Sequence, residues 1–195
     1  MKRLTGFLVL FLCFGSYVYA QEAKSSPFYP LKKGASWTYK SSQGGEILVK
    51  VTGTDKIGDK TGWKLETTVN TKLAATELIE IRDDGFYRYS INTTKVDTPV
   101  KFFKLPPAKG DSWDFDFKVQ NQTVKGKYEI KVEDVTVNGT PYKGAFLVEG
   151  KDITIGDKKA VLKQWFVENV GIVKIQFSLD GQEGILELVK HEPGS

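Results

Sequence analysis

From Lys125 the chain alternates charged and apolar residues one by one. Lys127, Glu129, Lys131 and Glu133 fall on one side of this pattern, and Tyr128, Ile130 and Val132 on the other. A period of two marks a strand with one wet and one buried face. Ile47, Val49 and Val51 alternate in the same way with Glu46, Leu48 and Lys50. Asp84-Gly85, Asn138-Gly139 and Asp180-Gly181 lie between such runs and suit tight hairpins, because Gly and Asn tolerate positive φ. The pattern predicts eleven or twelve strands, starting near Ser36, Glu46, Trp63, Ala75, Phe86, Lys101, Ser112, Thr123, Tyr142, Lys159, Ile172 and Gly184. No segment carries an apolar stripe of helical period over three turns. The expected class is all-β: one domain of antiparallel strands in a strongly curved sheet, a half-barrel or a flattened barrel.

The chain also echoes itself. Lys33-Gly34-Ala35-Ser36-Trp37-Thr38-Tyr39 returns as Lys109-Gly110-Asp111-Ser112-Trp113-Asp114-Phe115, 76 residues later. Gly45 to Val51 has a counterpart in Lys125 to Val132, and Gly85-Phe86 in Gly171-Ile172, with the offset grown to 86. Loop insertions between two related halves, about 27–104 and 105–190, would produce that drift. In each copy the glycine permits a sharp entry, and two aromatics two residues apart share one strand face.

The first twenty residues change the picture of where the protein works. Lys2 and Arg3 precede an apolar run from Leu4 to Phe14, and Val18-Tyr19-Ala20 ends in a small residue before Gln21. This is the layout of a secretory signal peptide cleaved after Ala20, and the run is too short to span a bilayer, which takes about 20 residues. Residues 21–195 would then form the single β domain, periplasmic or secreted. Cleavage would remove Cys13, the sole cysteine, so the exported domain has no disulfide to rely on. Cys13 follows Leu10-Phe11-Leu12 rather than the small residues that precede an acylated cysteine. Loss of Lys2 and Arg3 lowers the formal charge from +4 to +2, and a nearly neutral chain with interspersed signs lacks the clustered basic face of a nucleic-acid binder. No second long apolar segment follows, so no transmembrane helix is expected in the exported domain.

The inventory of reactive residues is thin. His191 is the only histidine and lies in Lys190-His191-Glu192-Pro193-Gly194-Ser195, which reads as a frayed, exposed tail rather than as the base of a hydrolytic triad. Zinc and copper sites built on His or Cys clusters fail on count. Asp83-Asp84-Gly85 reads as a hairpin tip, and Asp114 with Asp116 as the wet face of a strand whose Trp113, Phe115 and Phe117 point inward. Neither matches a calcium loop. No catalytic residue, metal or cofactor is expected, and the chain reads as a non-enzyme. An outer-membrane barrel would need the charged face near Lys125 to line a lumen. Its last strand would also end in an aromatic rather than in Lys190-His191-Glu192-Pro193.

What remains is aromatic. Phe86-Tyr87-Arg88-Tyr89 places Tyr87 and Tyr89 on one face and Phe86 on the other, and Lys101 to Leu105 is apolar on both faces. A strand apolar on both faces is covered twice, or borders a greasy concavity. Trp37, Tyr39, Trp113 and Phe115 read first as a matched pair of core anchors, one per half, and with Tyr87 and Tyr89 they are the candidate lining of a ligand cavity in the sharper reading. Phe28-Tyr29-Pro30-Leu31-x-x-Gly34-x-x-Trp37-x-Tyr39, with Trp165 to Lys174 and Leu186-Glu187-Leu188 near the end, resembles a broad, largely uncharacterised group of exported bacterial β-rich proteins. That resemblance implies a curved antiparallel sheet similar to the half-barrel of periplasmic lipoprotein carriers, which hold acyl chains in a greasy concavity. It implies no catalytic residues. The expected role is non-catalytic binding of a lipophilic small molecule or an envelope protein. A structural or interaction module with a filled core is the alternative, and a hydrolase the third reading.

Overall fold

Twelve strands make up the structure, a computed structural model that describes residues 23–91 and 93–195. The expected signal peptide, residues 1–20 with Cys13 among them, lies outside the described residues. The strands are β1 (Ser36–Ser41), β2 (Glu46–Ile57), β3 (Lys60–Val69), β4 (Lys72–Arg82), β5 (Gly85–Ile91) and β6 (Thr94–Lys104), then β7 (Ser112–Val119), β8 (Gln122–Val137), β9 (Thr140–Ile155), β10 (Lys158–Val167), β11 (Gly171–Leu179) and β12 (Gln182–Glu192). Each pairs antiparallel with its neighbours in sequence, and there is no helix among the described residues. Eleven of the twelve observed starts lie within three residues of those expected. β6 begins earlier, at Thr94 rather than Lys101, because Asp97-Thr98-Pro99 interrupts the apolar pattern inside a continuous strand.

The sheet closes. β1 pairs with β12 from Ser36↔Glu192 to Ser41↔Leu186, so the sheet is a barrel and not a half-barrel. Closure satisfies the two terminal strand edges that an open meander would leave bare. It is thin at one place only: β6 and β7 share the single register pair Val96↔Val119. Below that pair the two strands are bridged by side chains. Trp113 Nε1 donates to Lys101 O at 2.9 Å, the Lys118 amide donates to Asp97 Oδ1 at 2.6 Å, and Lys104 pairs with Asp111 at 2.6 Å.

Register defines the inner face. Trp37, Val51, Leu65, Ile79, Phe86, Val100, Tyr128, Ile130, Val148 and Phe166 all point inward and are buried. The charged alternates point outward, where Lys131 and Lys163 flank Glu149 and Lys174 pairs with Glu187. An apolar inside and a charged outside is the reverse of a membrane-spanning barrel, whose outer band is apolar. This corrects the alternative in which the charges near Lys125 line a lumen.

One end of the barrel is sealed. The segment before β1 enters it and packs Phe28, Tyr29 and Leu31 among Trp37, Phe86, Phe102, Phe103, Phe146 and Phe166, with ring centroids 4.3 to 6.5 Å apart. A register shift between Phe86 and Tyr87 explains the double-faced Lys101–Leu105 stretch: Phe102 and Phe103 both reach the interior. Each buried ring removes about 150–250 Å² from water and contributes on the order of 2–3 kcal/mol. Gly171, at φ 92°, turns the chain between β10 and β11 beneath this cluster, and a Cβ there would come within 3.2 Å of both Trp37 Nε1 and Tyr29 Cδ2. The tail is pinned rather than frayed. Ser195 N donates to Lys33 O at 3.2 Å, and His191 stacks on Trp37 at 5.2 Å.

Two hairpins extend beyond the barrel wall. The β8–β9 arm bends over the outer face of β10 to β12, and Asn138 at its tip donates to Leu188 O at 2.8 Å. Val137 is buried beneath it, and Trp165 donates to Glu133 Oε1 at 2.8 Å. The β2–β3 arm lies over β4 to β6 with far less apolar content. Lys60 meets Glu80 at 3.3 Å, and a groove of about 540 Å³ stays open between Ile57, Leu78, Tyr89, Val96 and Pro99.

Candidate functional site

The six aromatics singled out in the sequence do not converge. Trp37 is 0% exposed and donates to Val170 O at 2.6 Å; Tyr39 is buried beside it, and its hydroxyl donates to Ile172 O at 2.9 Å. Burial drives the Tyr39 hydroxyl well above its ordinary pKa, with nearby Tyr29 adding to the effect. Both side chains sit in the sealed half of the core. Trp113 and Phe115 line a cleft of about 270 Å³ at the β6–β7 seam, together with Pro99, Val100 and Phe117. Tyr87 and Tyr89 stand on the outer face. There the Arg82 guanidinium lies 3.9 Å from the Tyr87 ring centroid, and the Tyr89 hydroxyl donates to Glu80 Oε2 at 2.7 Å. Burial raises the Glu80 carboxyl, but hydrogen bonds from Tyr89 and Arg82 outweigh it and hold the group below its usual value.

The site with the geometry of a container is the unsealed half of the barrel. An eight-stranded barrel is just filled by its own side chains, and diameter grows with strand number. Twelve strands enclose a wider interior than eight. At the sealed end the N-terminal segment takes up part of that width. At the other end the structure described here provides no such insert. Ile47 and Val49 on β2, Thr67 on β3, Leu162 on β10, Ile175 on β11 and Leu186 on β12 face inward and are only half-buried. At the rim, Val69 is 37% and Phe177 36% exposed. Phe177 lies flat on the opposing strand because residue 184 is glycine; a Cβ there would meet its ring at 2.3 Å.

The inward face also carries polar side chains. Glu77 on β4 and Arg88 on β5 share the inward face of Ile79 and Phe86, and Glu77 Oε1 stands 3.2 Å from Arg88 Nε. The guanidinium lies 4.8 Å from the Phe102 ring centroid. Tyr29 reaches up from the plug into the field of this pair. Burial first, and then Glu77, hold its hydroxyl far above the ordinary value, against a smaller opposing effect of Arg88. Across the barrel, Gln164 on β10 faces inward and is buried. Sequence reasoning passed over all three residues. The available signal was parity: Arg88 alternates with Phe86, and Glu77 with Ile79, on the apolar side of their strands.

With that geometry in view, comparison with known proteins adds a fold. No protein-family model and no curated protein sequence matches the chain. Solved structures do match in shape, two of them at TM-scores above 0.5. One is a predicted exported protein with a YmcC-like fold from Bacteroides fragilis, 12% identical, at a TM-score of 0.56 over 86% of this chain and 100% of that one. The other is a predicted lipoprotein from Parabacteroides distasonis, 13% identical, at a TM-score of 0.51 over 87% of this chain and 100% of that one. The likeness is one of fold. It agrees with the expected all-β class and assigns no residue a role.

Proposed function

We propose that this protein is a non-catalytic, exported binding protein that holds a lipophilic small molecule in the unsealed half of its barrel. The observation that carries this reading is the row of inward-facing apolar side chains on β2, β10, β11 and β12 that stay partly accessible instead of fully buried. Ligand pockets are concave and mostly apolar, with a few placed polar groups, and the lumen has apolar walls with polar side chains among its inward-facing residues. Export through the leader at residues 1–20 puts the protein in the periplasm or outside the cell. The exported or lipoprotein descriptions of the two fold neighbours fit that placement. Of the aromatics named from sequence, Trp113 and Phe115 take a secondary part in this reading. They border the β6–β7 seam, the thinnest place in the wall.

The test is native mass spectrometry on protein expressed with its own leader and purified without detergent. Extra mass that solvent extraction removes is the expected result. A clean mass, together with failure of the extracted protein to take up a fluorescent apolar probe, overturns the reading. It would leave an interaction module that works through its outer face.

A further inference from the structure

Of the two hairpin arms, the β8–β9 arm closes on the sheet beneath it and the β2–β3 arm does not. At the β8–β9 tip Val137 is the last residue before the turn and is 1% exposed, and the Asn138 side-chain amide donates to Leu188 O at 2.8 Å. The β2–β3 arm ends in a two-residue tip of the same kind, Gly58-Asp59, between the paired residues Ile57 and Lys60. Ile57 holds the place of Val137 but stays partly accessible, and residue 58, a glycine, has no side chain with which to fasten the tip. The fastening here is an ion pair, Lys60 with Glu80 at 3.3 Å, and beside it lies the groove of about 540 Å³.

The lining of this groove narrows what can fill it. Ile57 borders it from the arm, and Leu78, Tyr89, Val96 and Pro99 from the sheet. Concave, largely apolar clefts of about 300–1,000 Å³ with a few polar groups are the usual seats of small molecules. The polar groups here are mostly donors. Lys56 on the arm and Lys95 on β6 both border the groove, and among the described residues neither takes part in an ion pair. The Ser90 hydroxyl accepts from the Leu78 amide at 2.9 Å, which leaves its own proton to donate. Against these stand Asp59 at the tip and Asp97, whose Oδ1 already accepts from the Lys118 amide at 2.6 Å. Three lysines and two aspartates leave a surplus of one positive charge along the lining. A cation would meet that surplus, and an uncharged molecule would leave both unpaired lysines unused. A single negative charge on an apolar body fits both features.

We propose that the groove beneath the β2–β3 arm is a binding site for a small amphipathic anion, with an apolar body between Ile57 and Tyr89 and one sulfonate or carboxylate contacting Lys56 and Lys95. The site is separate from the lumen. Leu78 and Tyr89 stand on the outer face of the wall, where they alternate with the inward Ile79 and Arg88. Two fluorescent probes with the same rings test it, 8-anilinonaphthalene-1-sulfonate and the uncharged N-phenyl-1-naphthylamine. Each is titrated into the purified, nitrogen-15-labelled protein while amide chemical shifts are followed. The sulfonate should move the amides of Ile57, Gly58, Leu78 and Ser90, and should bind there about fivefold to tenfold more tightly than the uncharged probe, the gain expected of two exposed ion contacts. Lys56→Gln combined with Lys95→Gln should bring the sulfonate to the level of the uncharged probe. Both lysines are exposed, so the double variant keeps the fold. Equal binding of the two probes in the groove, or an undiminished sulfonate affinity in the double variant, overturns the selection of an anion. Sulfonate-induced shifts that are absent, or confined to amides such as Ile175 and Leu186 in the lumen, overturn the groove as a site and leave the lumen reading to its own test.

Discussion

Trp37 and His191 show how a residue's neighbours, not its type, set its role. His191 lies directly opposite Trp37 across the β1–β12 ladder, and the two rings stack at 5.2 Å and 16°. Burial lowers the imidazole pKa from its ordinary 6.5, and Nε2 is buried without a partner. A histidine with a lowered folded value is held neutral, so the unfolded chain takes up the proton first as pH falls. Its stabilising contribution is complete above about pH 6.5 and declines from there down to the folded value. The paired carboxylates titrate lower, so the decline between pH 6.5 and 5 belongs to the sole histidine. Urea midpoints across that range should fall for the unmodified protein and stay flat for His191→Phe, which keeps the stacked ring. An equal slope in both would remove the assignment. Trp37→Ala should cost about 3–5 kcal/mol, because it opens a cavity beside Tyr29 and leaves Val170 O without its donor. Equilibrium unfolding measures that directly.

At the level of strands, alternation and turn chemistry were legible along most of the described chain, β6 excepted. Asn138-Gly139 and Asp180-Gly181 each form a two-residue hairpin turn at positive φ, a local demand that local sequence must meet, whereas at the β4–β5 hairpin the turn is Asp83-Asp84 and Gly85 opens β5. Closure was not legible. It depends on β1 meeting β12, partners about 150 positions apart, and no nearby residue signals it. The inward charges were hidden for a related reason. Arg88 shares the parity of Phe86, but its charge masks that signal until the register of β4 and β5 puts it beside Ile79. The same register predicts uneven stability around the wall. Backbone amides facing the seam in Thr98–Phe102 and Asp114–Phe117 lack ladder partners, whereas β8 and β9 pair over nearly their whole length. Hydrogen exchange should open the seam orders of magnitude faster than the β8–β9 ladder. Uniform protection around the barrel would show that the seam is not a weak point. Trp113→Phe, which keeps the ring but loses the bond to Lys101 O, should speed exchange there further and cost about 1 kcal/mol overall.

For the whole molecule, one barrel holds two interiors of different kinds, and the difference can be measured. The sealed half is packed like any core. Val148 is fully buried on β9, and an indole in its place would force its neighbours apart at about 1–3 kcal/mol. Leu162 lies one pair higher on the adjacent β10, faces the same way as Gln164, and is only half-buried. An indole there would extend into accessible space. Leu162→Trp should therefore leave stability within about 0.5 kcal/mol of the unmodified protein while blocking uptake of an apolar probe. Val148→Trp should destabilise. The pair of variants separates a lumen from a merely loose core, because a loose core would relax around either ring and change binding in neither. If Leu162→Trp destabilises as much as Val148→Trp, the upper barrel is packed after all. The partly accessible walls would then be surface, and the groove of about 540 Å³ beneath the β2–β3 arm would become the place to look for a ligand.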